Sequence, residues 1–294
     1  MRFLILLLTF VVQRKFSLTL SRHHDIWAGQ YLDFFEKKMP VVRHNSAVYL
    51  AIGIVLPAFL LAFLLALVND LLFGVMTLFI NFVVLFMCLG CGYLKKVMDD
   101  YLNYWLKGEY QRALQTLESA DIQICNADHL SQAEIHRAAC SAFVYQTFQR
   151  YFIIIFWFIL AGPVGALVAR LADVSAESDS SYRPARVRLL CQLLEWLPAR
   201  LLAMTFSLVG NFPDTMKQTM GKVTDPLASA ADILEYSAVN TLCSTKYSYY
   251  PDVKASKDTV RSEVQLTGLR ELLNRSLVLW FGVLAILALI AEFV

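Results

Sequence analysis

The sequence has few charged residues for its length. Charged side chains make up 17% of its 294 residues, whereas hydrophobic residues make up 57%. Soluble domains carry about 25% charged residues on average. Long windows contain no charge at all, which is the pattern a bilayer imposes, because a charge at its centre costs several kcal/mol. The sequence therefore predicts an all-α, polytopic integral membrane protein with amphipathic helices on the cytoplasmic side.

The sequence also lacks the short motifs of common enzyme classes. It contains no phosphate-binding loop, no Gly-x-Ser-x-Gly nucleophile elbow and no His-Glu-x-x-His metal motif. The net charge is only +2 and no block of Lys and Arg occurs, so we expect no nucleic-acid partner. We predict no catalytic residue, no metal site and no cofactor.

The six cysteines are scattered and do not resemble the framework of a small disulfide-rich domain. Cys88 and Cys91 form a C-x-x-C inside an apolar run, with no second Cys or His pair near them in sequence. This pattern predicts small residues packed at a helix contact and not a zinc site.

Four apolar windows are long enough to cross a hydrocarbon core of about 30 Å, because a helix rises about 1.5 Å per residue. They comprise residues 47–68, 71–94, 151–169 and 276–294. Two further apolar segments are irregular: residues 3–12 are too short to span, and Pro198 interrupts residues 189–212. We expect a retained short helix and a helix broken at the proline, all within one membrane domain, residues 1–294.

Two helix starts carry recognisable capping signals. Ser131 and Glu134 have the spacing of a capping box, in which each side chain accepts from the backbone of the other. Asp225 precedes Pro226, which predicts a cap residue followed by a helix-starting proline.

The distribution of Lys and Arg predicts the orientation. Residues 13–46 and residues 95–150 each contain six Lys or Arg, and the Asn69-Asp70 connector contains none. Basic loops stay on the cytoplasmic side, so we expect both loops to be cytoplasmic and the connector to be outside. Residues 151–212 either cross fully or form a re-entrant pair.

The most informative segment for function runs from position 150 to position 211. Gly162-Pro163-x-Gly165 inside a span predicts a kink and the close approach of another backbone. Pro198 frees a carbonyl one turn upstream, and Arg200 could donate either to this carbonyl or to Glu195.

Two interpretations of these polar residues stay open. In the first, Glu195 and Arg200 form a buried pair that fixes the register of the helices. In the second, the polar residues line a cytoplasm-facing pocket for an anionic ligand. The candidate ligand-binding residues are Arg150, Arg170, Glu195, Arg200 and Asn211.

Two blocks of this segment carry a resemblance to a known family. The first contains Phe156-Trp157, then Gly162-Pro163-x-Gly165-Ala166 and Arg170, and the second is Trp196-Leu197-Pro198-Ala199-Arg200-Leu201. The chain resembles the AmpE family, a branch of the CobD/CbiB superfamily of bacterial inner-membrane proteins. The second block is similar to the I-P-A-R-L signature of that superfamily. The resemblance implies a modulator of β-lactamase induction, connected with cell-wall recycling and the response to β-lactam antibiotics.

The resemblance also argues against the amide synthesis that the superfamily's synthases perform. Aligned on Phe156-Trp157, the synthases' acidic and Asn positions correspond here to Ser141, Tyr145, Gln146 and Gln149. Phosphate chemistry should need carboxylates to hold Mg²⁺. We therefore expect a non-enzymatic inner-membrane signalling modulator.

Two other functions and several partners stay under consideration. One alternative is a membrane-bound amide ligase that uses ATP and Mg²⁺, related to adenosylcobinamide-phosphate synthase. The other is a small transporter of muropeptide-type molecules, since broken apolar helices with charges near the midplane are typical of carriers. The expected partners are the lipid bilayer and either a cell-wall-derived anionic ligand or a cytoplasmic protein.

Overall fold

The structure is a computed structural model. All of the regular secondary structure that it describes is helical. It describes residues 2–16, 26–38, 46–68, 75–89, 91–120, 122, 124, 130–177, 185–210, 212–244 and 258–293. No strand occurs within these ranges. The predicted all-α membrane fold is confirmed.

Thirteen α-helices and two π-helical turns follow one another along these ranges. The π-helical turns are Ala51–Val55 and Phe148–Phe152. The α-helices are α1 (Arg2–Phe16), α2 (Ile26–Lys38), α3 (Ser46–Leu50), α4 (Leu56–Val68), α5 (Val75–Cys88), α6 (Cys91–Leu106), α7 (Tyr110–Glu118), α8 (Gln132–Thr147), α9 (Ile153–Glu177), α10 (Ala185–Val209), α11 (Phe212–Val223), α12 (Ala230–Ser244) and α13 (Asp258–Phe293).

The chain divides into two compact units, and neither unit is continuous in sequence. Unit 1 comprises Met1–Tyr93 and Gln149–Pro198, and unit 2 comprises Leu94–Phe148 and Ala199–Val294. The prediction that residues 1–294 form a single domain stays a prediction.

Unit 1 is centred on α9, which packs against α1, α2, α4 and α5. Its buried cluster joins Ala28 and Leu32 of α2 to Leu171 and Ala172 of α9. The Tyr31 hydroxyl donates to the Ile52 carbonyl inside the first π-helical turn at 2.9 Å. Burial raises the pKa of this phenol, so it stays a neutral donor. Unit 1 therefore ties its irregular turn to α2 by a specific hydrogen bond.

Unit 2 contains the contacts among α8, α11, α12 and α13. Ala203, Val223 and Ile233 form a buried cluster at which α10 and the ends of α11 and α12 meet. The predicted capping box at the start of α8 is confirmed: the Ser131 side chain accepts from the Glu134 backbone, and Glu134 accepts from the Ser131 backbone. The short helix α7 buries Ala113 and Leu117 and exposes most of its other residues, as an amphipathic surface helix should.

Among the described residues, three helical stretches are long and apolar enough to cross a membrane: Ala47–Val68, Gln132–Ala176 and Arg186–Val209. The first exposes large apolar side chains, each between 46% and 65% exposed, which suits a lipid environment and not water. These side chains are Phe59, Leu60, Phe63, Leu64 and Leu67. The predicted spans at 47–68 and 151–169 are therefore confirmed as membrane-length helices.

The other predicted segments differ from the structure in several ways. The window 71–94 is not one helix, because α5 ends at Cys88 and α6 begins at Cys91. Residues 276–293 of the fourth window lie within the longer α13, and the membrane crossing of this window stays a prediction. The short segment 3–12 is helical, inside α1. The Asn69-Asp70 connector lies outside the described residues.

Two predictions about proline were wrong. Residues 189–212 are not broken at Pro198, because α10 continues through it from Ala185 to Val209. Pro226 does not start a helix: α12 begins at Ala230, and its cap is Ser229, whose hydroxyl accepts from the Asp232 backbone. Asp225 instead accepts from the Leu227 backbone and so closes a turn before the helix.

The predicted kink in α9 is confirmed at Gly162, whose φ of 71° interrupts the helix. Only glycine adopts this backbone conformation readily. The kink brings the Trp157 carbonyl beneath Gly165, where an added Cβ would lie 2.6 Å from that oxygen and 2.7 Å from the Ala161 Cβ. The close approach predicted for this motif is therefore made by the preceding turns of the same helix.

We expect Gly165→Ala to lower the free energy of unfolding by about 1–3 kcal/mol, because the new methyl group would overlap backbone that cannot move freely. Thermal unfolding of the purified chain in detergent measures this loss. Gly282→Ala is the matched control, since nothing lies within 4 Å of its added Cβ in α13. Equal stability of Gly165→Ala and the natural chain would contradict the close approach.

Candidate functional site

The Trp157 side chain in α9 contacts α10 one turn before Pro198, at the Leu194 carbonyl. Pro198 has no N–H, so the Leu194 carbonyl one turn upstream loses its helical donor. The indole Nε1 of Trp157 donates to this carbonyl at 3.1 Å. The sequence correctly indicated a freed carbonyl, but the donor that the structure provides is Trp157 and not Arg200.

The candidate ligand-binding residues of α9 and its preceding turn are buried. Arg150 is 6% exposed and Arg170 is 1% exposed. Arg170 donates to the Asp173 carboxylate at 2.7 Å, three residues ahead in the same helix. Because opposite charges are joined here, the pair presents no net charge to a ligand. The anionic pocket predicted around these arginines stays a prediction.

Glu195 and Arg200 lie in α10, on either side of Pro198, and each has partners within its own unit. In unit 1, Glu195 accepts a hydrogen bond of 3.4 Å from the buried Gln149 side chain. In unit 2, Arg200 donates through Nε to the Val223 carbonyl at 3.0 Å and through Nη2 to the Asp225 carbonyl at 2.6 Å. Asn211 lies outside the described residues.

Arg200 thus fastens α10 to the end of α11. The last carbonyls of a helix have no partner within the helix, and a buried carbonyl that stays unpaired costs stability. The Arg200 guanidinium satisfies the Val223 carbonyl, at the last residue of α11, and the Asp225 carbonyl in the turn that follows. This arrangement stabilises the fold of unit 2.

Two of the positions aligned with the synthases' acidic and Asn residues contact a carboxylate from another helix. Ser141 donates to Glu235 of α12 at 3.0 Å, and Gln149 donates to Glu195. At both aligned positions, a neutral side chain therefore donates a hydrogen bond to a glutamate. Among the described residues, no three His, Cys, Asp or Glu side chains form a group that could hold a metal ion.

Unit 2 contains a cavity of about 140 Å³ between α8, α12 and α13. Arg137 of α8 and Glu235 of α12 lie at its edge and form an ion pair of 3.1 Å. Trp105 and Leu269 lie on its apolar side and are 3% and 1% exposed. The cavity therefore combines a mostly apolar lining with a pair of opposite charges.

His136 lies between this cavity and a cluster of aromatic rings. The Tyr101 hydroxyl is 3.1 Å from His136 Nδ1, and the two rings stack with centroids 5.9 Å apart. Burial raises the pKa of the Tyr101 phenol, so it remains protonated and can donate to the imidazole. The Tyr101 ring therefore packs behind His136, which lines the cavity.

The sequence could not reveal these contacts, because they join distant residues. Arg137 and Glu235 are 98 positions apart, and Trp157 and Leu194 are 37 positions apart. The spacing within one helix predicts neighbours along that helix, but gives no information on which other helix lies against it. Pro198 was the one usable signal, since a helical proline always frees a carbonyl.

We expect Arg200→Lys to lower the free energy of unfolding by about 1–3 kcal/mol, because an ammonium group cannot reproduce the two-carbonyl geometry of the guanidinium. Thermal unfolding in detergent measures the change. Arg275→Lys is the control, since Arg275 forms an exposed i,i+4 pair with Glu271 and should change stability by less than about 0.5 kcal/mol. Equal losses in the two variants would argue against a structural role of Arg200.

Comparison with known proteins identifies the family. The chain is similar to a cobalamin biosynthesis protein CobD of Stutzerimonas stutzeri (strain A1501), with 30% identity over 142 residues. That match covers 42% of this chain and only 46% of the relative. No solved structure matches the chain. The family model described as regulatory signalling modulator protein AmpE matches residues 1–264. Because this match extends over most of the chain, the protein belongs to the AmpE family.

Proposed function

We propose that the chain is a non-enzymatic signalling modulator of the bacterial inner membrane, linked to cell-wall recycling and β-lactamase induction. The observation that carries this proposal is the match of the AmpE family model to residues 1–264. The membrane-length helices of the structure support the membrane location. The basic segments 13–46 and 95–150 would face the cytoplasm, where a protein partner or a cell-wall-derived anionic ligand could reach them.

The partners of the buried polar residues support a role without catalysis. Arg170 bonds to Asp173, Glu195 accepts from Gln149, and Arg200 donates to two backbone carbonyls. Each of these contacts stabilises the protein itself. Removing these charged side chains from their partners to bind a substrate would lower the stability of the protein, because a buried charge left unpaired costs several kcal/mol.

The amide ligase is the second candidate, and the partial similarity to the CobD protein favours it. Under this interpretation ATP and Mg²⁺ would bind, and carboxylates would have to hold the cation. Glu235 and Glu195 would be the nearest acids to the aligned positions, but Arg137 and Ser141 already contact Glu235, and Gln149 contacts Glu195. We therefore favour the modulator.

We expect deletion of the gene from its native host to change β-lactamase activity after exposure to a sub-inhibitory β-lactam by several-fold. The reason is that a modulator alters the signal for induction and not the β-lactamase itself. A plasmid copy of the gene should restore the original induction, whereas the empty plasmid should not. The measurement is nitrocefin hydrolysis in cell extracts with and without the inducer.

Identical induction in the deleted and restored strains would contradict the modulator. A second strain separates the two candidates. If the gene alone restores growth to a strain that lacks its corrinoid amide synthase, the chain is a ligase and the non-enzymatic proposal fails.

A further inference from the structure

The cavity of unit 2 has the size of a small ligand. Its volume is about 140 Å³, and helices α8, α12 and α13 supply most of its lining. An engineered apolar cavity of about 150 Å³ takes up benzene, so this cavity can accept an apolar group of about six heavy atoms. The cavity takes no part in the contacts of α9 and α10 described above.

The apolar side of the cavity is formed by aliphatic and aromatic side chains. Val239 and Leu242 of α12 face it together with Leu269 of α13 and the ring of Trp105. Tyr110 lies edge-on to Trp105, with ring centroids 4.8 Å apart. Val239, Leu242 and Leu269 have no side-chain donor or acceptor, so the part of a ligand that packs against them must be apolar.

The polar side of the cavity presents one charge of each sign. Arg137 approaches Glu235 through Nη2 at 3.1 Å and through Nε at 3.2 Å, and the Ser141 hydroxyl donates to the other Glu235 oxygen at 3.0 Å. The Arg137 and Glu235 side chains are 57% and 32% exposed. Exposed ion pairs contribute only about 0–1 kcal/mol, so a ligand can separate the two groups at little cost.

These features restrict the ligand by charge. An anion would contact Arg137 but would also face the Glu235 carboxylate, and a cation would face the Arg137 guanidinium in the same way. A wholly apolar molecule would remove water from this ion pair without adding a partner to either group, which is unfavourable. A molecule with both charges at one end and an apolar group at the other can pair with both charged side chains and pack against the apolar side of the cavity.

We propose that this cavity binds a small zwitterion with an apolar side chain, the chemical class of free apolar α-amino acids. The ligand ammonium bonds to Glu235, the ligand carboxylate bonds to Arg137, and the side chain inserts between Leu242 and Leu269. Binding replaces one exposed ion pair by two that the ligand shields from water. The assignment depends only on the cavity and goes beyond the proposed modulator function.

Calorimetric titration of the full-length chain in detergent tests this proposal. The probes are L-alanine, L-valine, L-leucine and L-phenylalanine, together with two truncated forms of leucine. Isoamylamine lacks the carboxylate, and 4-methylpentanoate lacks the ammonium. We expect at least one of the four amino acids to bind, and for leucine we expect each truncated form to bind roughly tenfold more weakly, because it loses one charge-assisted hydrogen bond.

Variants of the ion pair show whether binding occurs in this cavity. Glu235→Gln and Arg137→Gln should each weaken amino-acid binding by roughly tenfold and leave the melting temperature of the ligand-free chain almost unchanged, since the pair is exposed. Glu271→Gln and Arg275→Gln are matched controls, because they remove a comparably exposed ion pair of 3.1 Å elsewhere in unit 2. The controls should bind like the natural chain.

Three results would overturn the proposal. The first is that no amino acid of the panel binds to the natural chain. The second is that isoamylamine or 4-methylpentanoate binds as tightly as leucine, which would assign the cavity to a cation or to an anion. The third is that the control variants weaken binding as much as Glu235→Gln and Arg137→Gln, which would place the binding site elsewhere. None of these results bears on β-lactamase induction, so the proposed function is judged separately.

Discussion

The hydrogen bond from the Trp157 indole to the Leu194 carbonyl allows α10 to run through a proline without a break. Within a bilayer no water can satisfy a backbone carbonyl, and an unpaired one costs several kcal/mol. Pro198 creates such a carbonyl in a helix of membrane length, and Trp157 supplies the missing donor at 3.1 Å. This single contact converts a helix-breaking residue into a point at which α9 and α10 are joined.

The same tryptophan also connects the kink in α9 with the proline-containing turn of α10. Its carbonyl lies beneath Gly165 because Gly162 kinks α9, and its side chain reaches α10. The close approach in α9 and the hydrogen bond to α10 therefore both involve Trp157. The buried polar residues nearby are held in the same manner, by partners within the protein, as the pairs Arg170–Asp173 and Gln149–Glu195 illustrate.

The sequence predicted features that arise within one helix and missed those that arise between helices. The spans at 47–68 and 151–169, the capping box at Ser131 and the kink at Gly162 follow from local composition and backbone chemistry. The continuation of α10 through Pro198 could not be predicted in this way, because the donor to the Leu194 carbonyl lies 37 positions away in the sequence. The cavity likewise depends on Arg137 and Glu235. The spacing of residues along one helix does not predict that these two side chains meet.

A double-mutant cycle of Trp157→Phe and Pro198→Ala tests most directly whether Trp157 compensates for the proline. Phenylalanine keeps most of the ring but has no donor, and alanine restores the backbone N–H that pairs with the Leu194 carbonyl. Unfolding in detergent should show that Trp157→Phe costs about 1–3 kcal/mol in the natural chain and almost nothing when residue 198 is alanine. An equal cost of Trp157→Phe in both backgrounds would show that the two residues are not coupled and would contradict this account.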